Sequence, residues 1–109
     1  MINKTLAQTI QTMVKVDQSA RFQARGSTGN LPPNLLIYVI DAAHSHRMRT
    51  IIQEYGYPTR KLLGAKGMKD WWLLVQHQDL DPGLQKKCLE FCDFASGEYA
   101  MLVDRVLVG

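Results

Sequence analysis

The stretch that decides the fold is Asn34-Leu35-Leu36-Ile37-Tyr38-Val39-Ile40-Asp41-Ala42-Ala43-His44-Ser45-His46-Arg47-Met48-Arg49-Thr50-Ile51-Ile52-Gln53-Glu54-Tyr55, closed by Gly56-Tyr57-Pro58. Ile37, Ile40, Met48, Ile51, Ile52 and Tyr55 share one stripe at helical spacing, the pattern of a helix with one buried face. Asn34 stands where an N-cap belongs, and a glycine just past the last turn with a proline two residues later is a helix stop. The spacing predicts a helix over 34–55. Asp41 and His44 fall in the middle of its apolar stripe, three apart and able to touch.

Working outward, Leu6, Ile10, Met13, Val14, Ala20 and Ala24 predict a first helix from about Asn3 to Arg25. Asp17 and Arg21 project within that stripe and, four apart, can pair. Gly26 to Pro33 is a block of breakers and turn formers and reads as a loop. On the other side, Thr59 caps a short turn through Leu63, and Gly64-Ala65-Lys66-Gly67 leads into a third main helix ending near Gln78. Asp81 caps a fourth helix with Pro82 at its first position, running to about Ala95. Glu98 to Val108 is apolar, but Val103, Val106 and Val108 are β-branched, so helix and strand both stay open there. The fold expected is all-α, a compact bundle of four to five helices in one domain, 1–109.

Within the third helix, Trp71-Trp72-Leu73-Leu74-Val75 is apolar almost all round, which makes it central. It then turns abruptly into Gln76-His77-Gln78-Asp79 before Asp81-Pro82. Polar groups arriving so late on a buried element point to a site. A histidine there can act as a general base near neutral pH, or simply bond a backbone carbonyl.

Composition excludes several classes. With 46% hydrophobic and 21% charged residues in 109, the chain is an ordinary globular domain. No apolar run approaches the roughly 18 residues of a membrane span, and Met1 to Thr5 leads into no signal sequence, so the expected location is the cytoplasm. The charge of +3 and pI near 9.0 are mild. The densest basic run, Arg60 to Lys69, lacks interleaved aromatic residues and reads first as a solvated helix face, which makes nucleic acid the weakest partner class. Cys88 and Cys92, four apart on one helix face, read as reduced core thiols.

His44, His46, His77, Asp41 and Asp79 offer metal ligands, but no HExxH or CxxC spacing exists, and no metal or cofactor is expected. A phosphate loop and a nucleophile elbow are both missing from the sequence. What remains is a set of ionisable residues on apolar faces. Such groups must be paired or neutralised, and they persist either as structural stitches or as the lining of a pocket.

Several elements in order carry a resemblance: Asp17-Gln18 with Arg21; Asp41-x-x-His44; Ile51-Ile52 before Tyr55-Gly56-Tyr57-Pro58; Gln76-His77-Gln78-Asp79 with Asp81-Pro82 and Gln85; and Tyr99-Ala100-x-Leu102-x-Asp104-Arg105-Val106. Together they resemble an uncharacterised bacterial all-helical family of unknown function. The resemblance spans nearly the whole chain and implies functional positions at Asp17, Gln18, Arg21, Gln76, His77, Asp104 and Arg105. It implies no substrate. Position 44 is His where that pattern usually has Asn, and a short Tyr-Gly-Thr-Gln-like segment is expected beyond Gly109.

Three functions follow. In the first, a polar cleft binds or hydrolyses a small anionic molecule: His77 is the base, Asp17 and Asp104 are the acids beside it, and Gln18, Arg21, Asp41, His44, Gln76 and Arg105 hold the ligand, the arginines through bidentate bonds. It requires those side chains to converge. In the second, the chain is a protein-interaction module of accessory or immunity type, with an exposed patch drawn from Tyr55, Tyr57, Trp71 or Trp72, unless these pack in the core. The third is a nucleic-acid binder using Arg60 to Lys69.

Overall fold

The computed structural model describes residues 2–25 and 33–108. Five helices follow in order: α1 Lys4–Arg25, α2 Pro33–Tyr55, α3 Arg60–Gln76, α4 Pro82–Phe91 and α5 Ser96–Val108. No strand occurs among the described residues. The loop expected at 26–33 lies, apart from Pro33, outside them.

Local chemistry sets the boundaries. Asn3 caps α1, its side-chain oxygen accepting from the Leu6 N–H at 3.0 Å, while its own N–H donates to the Leu62 carbonyl at 2.8 Å and ties the start of the chain to α3. At the head of α2, Pro33 takes the first-turn position, where its missing N–H has no intrahelical role. Asn34 therefore sits inside the first turn and is not the cap that the sequence pattern indicates. Thr59 does cap α3, accepting from Leu62 N–H at 3.2 Å. The short turn through Leu63 and the main helix expected after it are both present within α3, divided by a kink at Gly64, whose φ of 77° and ψ of 172° only glycine adopts readily.

Asp81 caps α4 as expected, its Oδ1 accepting from Leu84 N–H at 3.2 Å. The helix stops at Phe91, short of the Ala95 expected, because Cys92 turns extended and Asp93 N–H reaches the Pro58 carbonyl at 3.4 Å. That exit lets Phe94 pack on the core. The last segment is helical. Leu102, fully buried, and Val106 lie four apart and both face the core while Asp104 between them is exposed, whereas a strand would put all three on one face.

One core joins all five helices: Ile10 of α1, Met48 of α2, Trp71 and Leu74 of α3, Leu84 of α4 and Leu102 of α5 are each 0–2% exposed. α1 packs against both α2 and α3, and α4 and α5 pair with each other and with α3. Of the aromatic residues weighed for a surface patch, Trp71 is sealed, Trp72 donates its indole N–H to the Glu98 carbonyl at 2.9 Å, and Tyr57 stacks on Phe91 with centroids 5.0 Å apart. Tyr55 is exposed. Cys88 is buried and Cys92 half-buried, both free thiols. Arg60, Lys61, Lys66 and Lys69 are each exposed, and Lys66 pairs with the buried Asp70 at 2.7 Å. No described helix is long and apolar enough to cross a membrane.

The Gly64 bend is the most exacting backbone feature. A Cβ there would stand 3.0 Å from the Ile2 side chain, in addition to the dihedral cost. Gly64→Ala is expected to lower stability by about 1–3 kcal/mol in urea unfolding, with unchanged helix content in the native baseline.

Candidate functional site

At 1% exposure, Asp17 is a carboxylate inside the protein, and its two oxygens are claimed by different elements. Oδ1 accepts from Arg21 Nε at 3.1 Å, one helical turn along α1. Oδ2 lies 2.6 Å from His77 Nδ1, at the end of α3. Arg21 then extends to α2, where its Nη2 donates to both oxygens of Asp41 at 3.0 and 3.2 Å. Three helices thus meet in one network, Asp41–Arg21–Asp17–His77.

His77 owes its position to the end of α3. It is the C-cap residue, with φ −83° and ψ 1°, and its N–H reaches the Leu73 and Leu74 carbonyls at 3.2 Å. An ionised carboxylate only accepts, so the proton on the ring sits on Nδ1 and points at Asp17. Arg21 Nε also lies 3.1 Å from Nδ1, but with a proton on both nitrogens its bond goes to Asp17. In the neutral ring this tautomer leaves the lone pair on Nε2, which has no hydrogen-bond partner among the described residues, on a side chain 18% exposed.

Burial and charge set opposite tendencies on the two acids. Burial alone would raise the pKa of Asp17, but the hydrogen bond from His77, joined by the charge and hydrogen bond of Arg21, holds it below the usual carboxylate range. For Asp41 burial prevails: with chiefly Arg21 to oppose it and the negative Asp17 close by, its pKa is raised. His44, also buried, is pushed down by burial and by the positive Arg47 and Arg21, against the pull of Asp17. It lines a groove of about 730 Å³ between α1 and α2, with Met13, Arg47 and Tyr55. No hydrogen bond joins it to Asp41, whose carboxylate turns to Arg21 instead.

The other matched residues lie elsewhere. Arg105 of α5 grips Asp79 through two bonds of 3.0 and 2.7 Å, and both side chains are exposed. Asp79 also accepts from Gln85 Nε2 at 3.2 Å, and the same nitrogen reaches the Val75 and Gln76 carbonyls at 3.1 and 3.4 Å. Gln76 thus contributes its backbone to this knot. Gln18 and Asp104 are exposed, and neither joins the Asp17 network by a hydrogen bond or ion pair among the described residues. Of the nine candidate positions, the structure brings together Asp17, Arg21, Asp41 and His77, with His44 buried nearby. Among the described residues no group of three or more His, Cys, Asp or Glu is placed to hold a metal ion.

Sequence reasoning passed over Gln78, Ser45, Arg49 and Asp81 as site residues. Gln78, 1% exposed, donates Nε2 to the Asp41 carbonyl at 3.0 Å, and its Oε1 is buried with no partner. Asp81 accepts from Ser45 at 2.6 Å and from Arg49 at 3.0 and 2.6 Å. Once α3 ends at Gln76, helical periodicity no longer says which side chain turns inward. The one available signal was an amide lodged between the histidine and a capping acid.

The chain belongs to the family of unknown function DUF6624, whose model matches residues 4–109. No curated protein and no solved structure matches it.

The depressed pKa of His44 has a consequence for stability. The unfolded chain takes up a proton at this residue near its ordinary value of 6.5, while the folded chain resists. Stability from this group is present above that pH and lost as pH falls from 6.5 through the folded pKa, with a slope of at most about 1.4 kcal/mol per pH unit. His44→Asn is expected to flatten the pH 7 to 5 limb of the urea-unfolding profile.

Proposed function

We propose that this member of the family is an acid–base domain in which His77, oriented by Asp17, takes a proton from water or from a small ligand. The observation that carries the reading is the 2.6 Å contact between Asp17 and His77 Nδ1 on a ring whose Nε2 is unpartnered and partly accessible. A buried carboxylate holding one ring nitrogen fixes tautomer and orientation, and stabilises the imidazolium that forms when Nε2 accepts a proton. Arg21 and Asp41 complete the frame: the guanidinium steadies Asp17 and is itself clamped by a second acid. With water as the acceptor of His77's assistance, the reaction class is hydrolysis of a small molecule.

The identity of the ligand's charge follows from the arginines. An anion would have to compete with carboxylates for both candidate guanidiniums, Arg21 held by Asp17 and Asp41 and Arg105 by Asp79. The centre supports a neutral or cationic group better than an anion.

A second reading, an interaction module, rests on a different face. Leu35, Tyr38 and Val39 lie three and four apart on α2 and are all exposed, an apolar stripe near the head of the helix. In self-association form this reading expects concentration-dependent sedimentation that a Tyr38→Ser/Val39→Ser variant abolishes. A monomer at every concentration removes that form.

For the dyad, long-range ¹H–¹⁵N spectra of the histidine rings should show His77 protonated on Nδ1 and bare on Nε2, and Asp17→Asn should disturb that pattern. The opposite tautomer would sink the reading. In a screen of small esters, amides and phosphoesters, His77→Gln is expected to cut any turnover by about 10²–10⁴-fold.

A further inference from the structure

Beside the dyad, between α2 and the turn that joins α3 to α4, lies a cavity of about 220 Å³ lined by Tyr38, Asp41, Ser45, Gln78, Leu80 and Asp81. Asp41 is the shared wall: it lines the cavity, and its carboxylate belongs to the Arg21 network. The volume suits a group of a few heavy atoms.

The lining is richer in acceptors than in free donors, of which the exposed Tyr38 hydroxyl is one. Ser45 gives its hydroxyl proton to Asp81, and Gln78 gives an amide proton to the Asp41 carbonyl. Asp81 is saturated, since Ser45, two Arg49 nitrogens and the Leu84 N–H occupy its oxygens. Asp41 is not. A single nitrogen, Arg21 Nη2, serves both of its oxygens, leaving lone pairs unused on a carboxylate 8% exposed. Gln78 independently marks the same place: it is 1% exposed, it forms part of the cavity wall, and its Oε1 has no partner among the described residues. A buried acceptor left so costs about 1–3 kcal/mol, which a donor in the cavity would recover.

Charge leads to the same conclusion. Asp17, Asp41 and Asp81 are three carboxylates with two guanidinium partners, Arg21 and Arg49. With the His77 ring neutral, one negative charge in this half-buried region has no counter-ion, and Asp41 is where it falls, because Asp81 has Arg49 to itself and Asp17 has the His77 N–H as well as Arg21.

We propose that the cavity is the seat of a protonated primary amine, which donates to Asp41 and Gln78 while Tyr38 and Leu80 flank its carbon. That the amine belongs to the molecule on which His77 acts rests on the dyad reading. The seat itself does not.

The test is a titration of the intact chain with methylammonium chloride at constant ionic strength, followed by the side-chain signals of Gln78 and Asp41. Sodium chloride and tetramethylammonium, which has the charge without the N–H, serve as controls. Saturable shifts with methylammonium alone, below about 100 mM, are expected. Asp41→Asn should weaken binding by about tenfold or more, and Gln78→Met, which keeps every charge, should weaken it as well. If Asp41→Asn fails to fold, Gln78→Met decides. No saturation, an equal response to tetramethylammonium, or indifference of the variants overturns the seat and leaves an ordinary water pocket. Binding is expected to persist in His77→Gln, so loss of the dyad reading and loss of the amine seat give different patterns.

Discussion

The constraint on which the rest depends is the Asp17 carboxylate. An ionised group this deep must be matched by charge and hydrogen bonds, or it loses its charge. Arg21 supplies the charge from the same helix, but one guanidinium bond leaves Oδ2 open, and His77 fills it across α3. Arg21 in turn reaches Asp41, so a single buried acid sets the relation of α1 to both of its packing partners. Apolar packing alone would tolerate a slip of one turn between α1 and α3. The network does not, because the 2.6 Å contact exists in only one register.

The fold was legible in the sequence wherever one period ran unbroken. Ile10, Met13, Met48, Ile51 and Trp71 are buried as their spacing requires, and Thr59 and Asp81 cap their helices. Legibility failed at the ends of elements. Asn34 looks like a cap until Pro33 takes the first turn. A helix expected to reach Ala95 stops at Phe91, because a tertiary bond to the Pro58 carbonyl competes with the next helical turn. Inside the site, Asp17, Arg21, Asp41 and His44 stood out because a charged residue on an apolar stripe breaks a pattern. The sequence also paired residues locally, as i,i+3 and i,i+4 neighbours, since only those distances can be read along a helix. Asp17–Arg21 follows that rule. Asp41 turns from its neighbour His44 to an arginine twenty positions away, a partner set by helix packing.

The turn between α3 and α4 shows why the site lies where it does. Four residues there are each held by a different part of the protein: His77 by Asp17, Gln78 by the backbone of Asp41, Asp79 by Arg105 and Gln85, and Asp81 by Ser45 and Arg49. A loop of this length needs no such anchoring to close, and short helix connections ordinarily run over the surface with water as their partner. The Asp79–Arg105 pair is exposed, as is the Arg49 side of its pair with Asp81, so each contributes at most about 1 kcal/mol. Buried ion pairs such as Asp17–Arg21 are also no more stabilising than well-packed apolar side chains of the same volume. Stability therefore does not account for the concentration of polar groups at this turn. Their common effect is positional: they hold the His77 ring, with its bare Nε2, and the unfilled acceptors of Asp41 and Gln78 in fixed relation, on a segment that would otherwise be mobile. Side chains held that way are preorganised for a ligand, since the entropy of ordering them is met in folding and not at binding.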